Sequence, residues 1–83
     1  STLDFSDLNA EVFPNPAQTQ WTIRTESELL QRVELFDLNG RLLAEYQPNA
    51  LNFNIPAAQL VPGNYVVRVT IREGQASIRL IKL

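Results

Sequence analysis

The groups available for chemistry in this sequence are carboxylates, hydroxyls and guanidinium groups, because it contains neither histidine nor cysteine. The missing imidazole removes the commonest general base and metal ligand. The missing thiol removes disulfides and thiolate chemistry. No serine or threonine stands near a plausible base. Glu34 and Glu45 are the nearest thing to a carboxylate couple, since a hairpin would set them opposite each other. Like charges so placed only repel. Asp37 with Asn39 falls short of a calcium site, which needs several converging oxygens. The sequence therefore gives no catalytic, metal-binding or cofactor-binding residue, and the chain by itself is expected not to be an enzyme.

Binding to nucleic acid is excluded on charge. Seven basic residues against nine acidic ones leave a net charge of −2. Lys82 is the sole lysine, and the arginines are spread from Arg24 to Arg79. A phosphate-binding surface needs a basic stripe, because affinity rises with each phosphate neutralised. No apolar run approaches the ~18 residues of a membrane span, so no stable membrane insertion is expected. The sequence starts at Ser1 without methionine, which suggests a fragment of a longer protein whose signal peptide lies upstream.

These residues must be positioned by strands. The chain has 83 residues, 45% of them hydrophobic and 19% charged, which suits one small globular domain. Its apolar residues fall in short runs bounded by Gly, Pro and Asn, with no sustained helical period. Residues 1–10 read as a linker entering the fold, and residues 11–83 as the domain. Short strands are expected at Glu11–Phe13, stopped by Pro14-Asn15-Pro16, and at Gln20–Thr25, with Trp21 and Ile23 on one face. Glu26–Leu30 reads as an acidic turn or a single helical turn.

The clearest local feature is a hairpin, Arg32–Leu38 and Arg41–Tyr46, around Asn39-Gly40. That dipeptide predicts a type I′ turn, in which both central residues take positive φ. Asp37 is placed to cap it through backbone amides. Val33–Leu38 carries apolar residues on both faces, so this strand is central or covered. Leu51–Ile55 alternates, with Leu51, Phe53 and Ile55 inward. Pro56–Pro62 forms a connection, with room for one helical turn and Leu60 plugging the core. Gly63 opens the strongest strand, Asn64–Ile71, and Glu73-Gly74 turns into Gln75–Lys82. About seven short strands joined by hairpins predict an all-β, immunoglobulin-like antiparallel sandwich, with a small barrel as the alternative.

The order of motifs is distinctive. Val12-Phe13-Pro14-Asn15-Pro16-Ala17, Trp21-Thr22-Ile23, the run VELFDLNGRLL from Val33 to Leu43, the run LVPGNYVVRV from Leu60 to Val69, and Ile78–Leu83 follow one another across residues 11–83. Together they resemble the type A C-terminal sorting domain of type IX secretion cargo. Members of that family often end in two or more basic residues. Here the end is Arg79-Leu80-Ile81-Lys82-Leu83, with one lysine and an apolar last residue. The resemblance implies a cargo that reaches the periplasm by its own signal peptide and folds there. An outer-membrane translocon then recognises the domain, and a cell-surface sortase removes it. The cargo ends up at the outer membrane and cell surface or is released. The cut is implied at or beside residues 1–10.

The same motifs name the candidate recognition residues for translocon and sortase: Pro14, Asn15, Pro16, Asp37, Gly40, Gly63, Tyr65, Arg79, Ile81, Lys82 and Leu83. Most also have a structural reading. The prolines blunt an edge strand, Gly40 serves a turn, and Tyr65 is a buried anchor whose hydroxyl reaches backbone across a corner. The terminal strand is the strongest functional candidate. As a sheet edge it would offer unpaired backbone groups and a carboxylate, readable by strand addition or carboxylate capture. Two other readings are an adhesive or carbohydrate-binding sandwich, which needs an exposed aromatic platform, and a structural spacer.

Overall fold

Alternation of apolar residues makes these segments strands, and two apolar faces packed together make the core. A computed structural model of the chain describes residues 2–3, 9–26 and 28–83. Its strands are β1 (Thr2–Leu3), β2 (Ala10–Phe13), β3 (Gln20–Thr25), β4 (Arg32–Asp37), β5 (Leu42–Tyr46), β6 (Asn52–Pro56), β7 (Gly63–Ile71) and β8 (Gly74–Lys82). Seven of them are antiparallel, four in one sheet and three in the other, which gives the expected all-β sandwich. The sheet orders are β1-β8-β7-β4-β5 and β2-β3-β6. The two-residue β1 adds parallel to β8, pairing Thr2 with Gln75 and Leu3 with Ala76.

The core lies between the sheets. Val33, Leu35, Tyr65, Val67, Val69, Ala76 and Leu80 come from the larger sheet, and Trp21, Ile23 and Ile55 from the smaller. Aromatic pairs stitch the two together. Trp21 meets Tyr65 edge-on at 6.1 Å between ring centres, and Tyr46 meets Phe53 at 4.8 Å. Such pairs contribute about 0.5–1.5 kcal/mol beyond their burial. β4 is central, between β7 and β5, as its two apolar faces required.

Several local expectations are corrected. The hairpin turn is not type I′, because of its two expected residues only Gly40 takes a positive φ, +83°. The Gly40 amide donates to the Asp37 carbonyl at 3.1 Å, so Leu38 and Asn39 are the central pair. The Asp37 carboxylate accepts the Asn39 and Arg41 amides at 2.9 and 3.0 Å. That capping holds a type I turn, which favours Asp at its first position, with Gly40 as the left-handed residue that follows. The second hairpin turns on Arg72-Glu73, since Gly74 stays in the ladder opposite Ile71. This register faces Val69 and Ala76 together into the core. A slip of one residue would put Gln75 there instead.

Leu51 is not inward but 40% exposed. Its place is taken by Leu30, which is fully buried and bridged to Ala50. Glu26–Leu30 forms no helical turn among its described residues, and Thr25 organises it instead. The Thr25 hydroxyl donates to the carbonyls of Glu28 and Leu51 at 2.6 and 3.2 Å. The Pro56–Pro62 connection holds a turn at Ala58-Gln59 and no helix. Leu60 packs on the core as expected, beside a fully buried Ala57.

Two substitutions test this account by urea unfolding. Gly40→Ala meets open space, so its cost should be purely conformational, about 1–2 kcal/mol. Leu35→Ala removes a core side chain and should cost about 2–5 kcal/mol. A Gly40→Ala variant as stable as the parent would show that the positive φ is not required.

Candidate recognition site

Strand pairing carries distant motifs to one end of the larger sheet. Asp37 lies opposite Tyr65, and Tyr65 opposite Leu80. Gly63 lies opposite Lys82, and Asn64 opposite Ile81. The β4–β5 turn with Asp37 and Gly40, the start of β7 with Gly63 and Tyr65, and the end of β8 are therefore neighbours. The Tyr65 hydroxyl donates to the Val61 carbonyl, tying down the approach to β7.

Pro14-Asn15-Pro16-Ala17 reaches the same end by an unusual route, because a side chain acts as a strand. The Asn15 carboxamide donates through Nδ2 to the Arg79 carbonyl at 3.1 Å and accepts the Ile81 amide on Oδ1 at 2.9 Å. One planar amide thus presents a donor and an acceptor side by side, as the N–H and C=O of a single strand residue would. Ala17 continues the pairing with real backbone. Its amide donates to the Ile81 carbonyl at 3.0 Å, and its carbonyl accepts the Leu83 amide at 2.8 Å. The Trp21 indole N–H also donates to the Ile81 carbonyl, at 3.3 Å. The outer edge of the terminal strand is occupied from Arg79 to Leu83.

This corrects the expectation of unpaired backbone groups there. Opening the edge would be expensive. Trp21 is fully buried, so its orphaned N–H alone would cost about 1–3 kcal/mol. Pulling the fully buried Leu80 into water would add about 1.5–3 kcal/mol. What stays accessible is side chains: Arg79, Ile81 and Leu83 are exposed, as are Phe13, Pro14, Asn15 and Pro16.

Beside this end, on the outer face of the larger sheet, lies an open groove of about 360 Å³. Phe36 and Val66, opposite each other in register, are among its lining residues, with Asp37, Leu38, Arg68 and Ser77. Arg79 pairs with Val66 across β7 and β8. Arg68 is fixed by Glu34, whose carboxylate takes both its Nε and a terminal nitrogen at 2.9 Å. The Arg68 guanidinium also lies 5.1 Å from the Phe36 ring centre. The hydrogen bond that Arg68 donates to Glu34 holds the Arg68 pKa above its usual range, against opposing desolvation. A raised pKa stabilises the fold below the ordinary value and loses that effect only as pH climbs through the raised one. The contribution is therefore constant across neutral pH.

Glu34 and Glu45 do stand opposite each other, but each has its own cation. Glu45 pairs with Arg32 at 3.3 Å. The Asp37 carboxylate is committed to the turn amides and to Arg41 at 3.2 Å. Among the described residues no cluster of three or more His, Cys, Asp or Glu is placed to hold a metal ion. A glycan platform is not formed by Trp21 and Tyr65, which are both buried.

Sequence reasoning named the proline segment and the terminal residues separately but missed Ala17, Phe36, Val66 and the Trp21 N–H. Asn15 carried a signal, as the one polar side chain between two prolines that cannot donate. Comparison with protein families now decides the affiliation. The profile described as the secretion system C-terminal sorting domain matches residues 11–83. The chain belongs to that family. It is the type IX secretion sorting domain, a family of sorting signals that is typically non-catalytic. Membership implies contact with the secretion machinery and a secreted or cell-surface bacterial cargo. No curated protein matches the chain.

Arg68 offers a direct test of the groove's electrostatics in the sorting domain. Its side chain is partly exposed while Glu34 is nearly buried, so Arg68→Ala should cost about 1–2 kcal/mol, mainly by stranding the carboxylate. Adding Glu34→Gln to Arg68→Ala should recover part of that loss in chemical denaturation, and additive losses would contradict the pairing.

Proposed function

We propose that this sorting domain targets its parent cargo to the outer-membrane translocon through the end of the sandwich where Pro14–Pro16 and Arg79–Leu83 meet. A surface sortase then removes it by cutting at or beside residues 1–10, and residues 11–83 form the signal proper. The cargo passes through the periplasm and finishes at the outer membrane, on the cell surface or in the medium. The observation that carries this reading is convergence. The proline motif, the Asp37–Gly40 turn, Gly63, Tyr65 and the terminal residues come from separate parts of the sequence, yet register brings them to one end. Core packing alone does not require exposed Arg79, Ile81 and Leu83 at that place.

Deleting the last five residues is a poor test, because it removes the fully buried Leu80 together with the address. Point changes at exposed positions separate the two. A passenger fused ahead of this chain should leave a type IX-competent host. Arg79→Glu and Leu83→Ser should lower that export several-fold while shifting stability by no more than about 0.5 kcal/mol. Mass spectrometry of the exported passenger should place its new end at or beside residues 1–10. A wild-type fusion retained in the periplasm would sink the reading, and full export of both variants would move the address elsewhere.

A further inference from the structure

The terminal strand can be read in two ways: released, so that a partner adds a strand to its edge, or docked, so that a partner reads its side chains. The hydrogen bonds on its outer side decide between them. Asn15 and Ala17 fill the edge from Arg79 to Leu83. The Ile81 carbonyl is held twice, by Ala17 and by the buried Trp21 indole. Ala17 is itself in the core, and so is Leu80 between the two clamped residues. Release would orphan a buried donor and withdraw a core side chain. The docked strand already shows Arg79, Ile81 and Leu83 to solvent.

We infer that the secretion machinery reads this terminus docked, and that Asn15 is the positioning residue that keeps it so. This deepens the sorting-signal reading and rests on it. The partner surface that fits has an apolar cleft for Ile81 and Leu83, with an acidic group within reach of Arg79, which forms no ion pair among the described residues. Asn15 contributes through its geometry, since only a side-chain amide offers a donor and an acceptor in one plane. Asp would keep the acceptor for the Ile81 amide but set a carboxylate against the Arg79 carbonyl.

Asn15 is exposed, so Asn15→Ala should fold. Amide exchange at Ile81 and Leu83 should quicken about tenfold while Val67 and Val69 stay protected, and export should fall several-fold. A covalent lock supplies the decisive arm. Ala17 and Lys82 are bridge partners, spaced for a disulfide, and the chain has no other cysteine. In the Asn15→Ala background, oxidised Ala17→Cys/Lys82→Cys should restore export to within about twofold of the same double-cysteine domain that keeps Asn15, so that the loss of Lys82 cancels. If the oxidised lock blocks export in the otherwise native domain while its reduced form is exported, the strand must open and the inference is wrong. Undiminished export of Asn15→Ala with a frayed terminus would overturn it too. A native fusion that never leaves the cell speaks against the sorting signal itself, which keeps the two failures apart.

Discussion

A β-strand has hydrogen-bonding groups on both sides, and at the edge of a sheet one whole side lacks a neighbour. For β8 that side must be closed by something, because its alternate residues Ala76 and Leu80 lie in the core and hold the strand in place. Closure comes from β1 at one end and from Asn15 and Ala17 at the other. The rest follows from this constraint. The proline segment must cross to the larger sheet, β3 must begin beneath it, and Trp21 must lie within reach of Ile81. The two sheets are therefore joined by directional bonds as well as by packing.

The fold was legible because its core strands obey a period of two. Tyr65, Val67, Val69 and Ile71 could be placed inward from spacing alone, and so could Trp21 and Ile23. What was not legible depended on partners distant in sequence. Asn39-Gly40 is a strong local signal for a type I′ turn, yet the Asp37 carboxylate fixes a different turn by capping two amides. Leu30 and Leu51 are both leucines beside polar residues, and only the bridge to Ala50 determines which one is buried. Asn15 looked like part of a strand terminator. Its role needs residues 79 and 81, and the local signal, one polar side chain between two prolines, does not say which strand it bonds.

The candidate site divides the same way. Its members were named from motif order, while their union at one end of the sheet is a product of register. The outer-face groove was only half legible: two apolar faces on β4 showed that Phe36 needed company, but not that Val66 and Arg68 would supply it. Charge behaves similarly. The opposition of Glu34 and Glu45 reads as a fault in a bare hairpin, and it becomes harmless once β7 brings Arg68 alongside and Arg32 turns to Glu45.

The clamp between Asn15 and the end of β8 joins residues 64 and 66 positions apart. A chain made or translocated from its first residue onward presents Asn15, Ala17 and Trp21 before residues 79–83 arrive. Until residues 79–83 follow, the clamp cannot close, and loop closure of that span slows the step further. Any cargo ahead of the domain has that interval in which to fold first. The completed sandwich then acts as a timer as well as a label, since its finished surface forms only once residues 79–83 have joined Asn15 and Ala17.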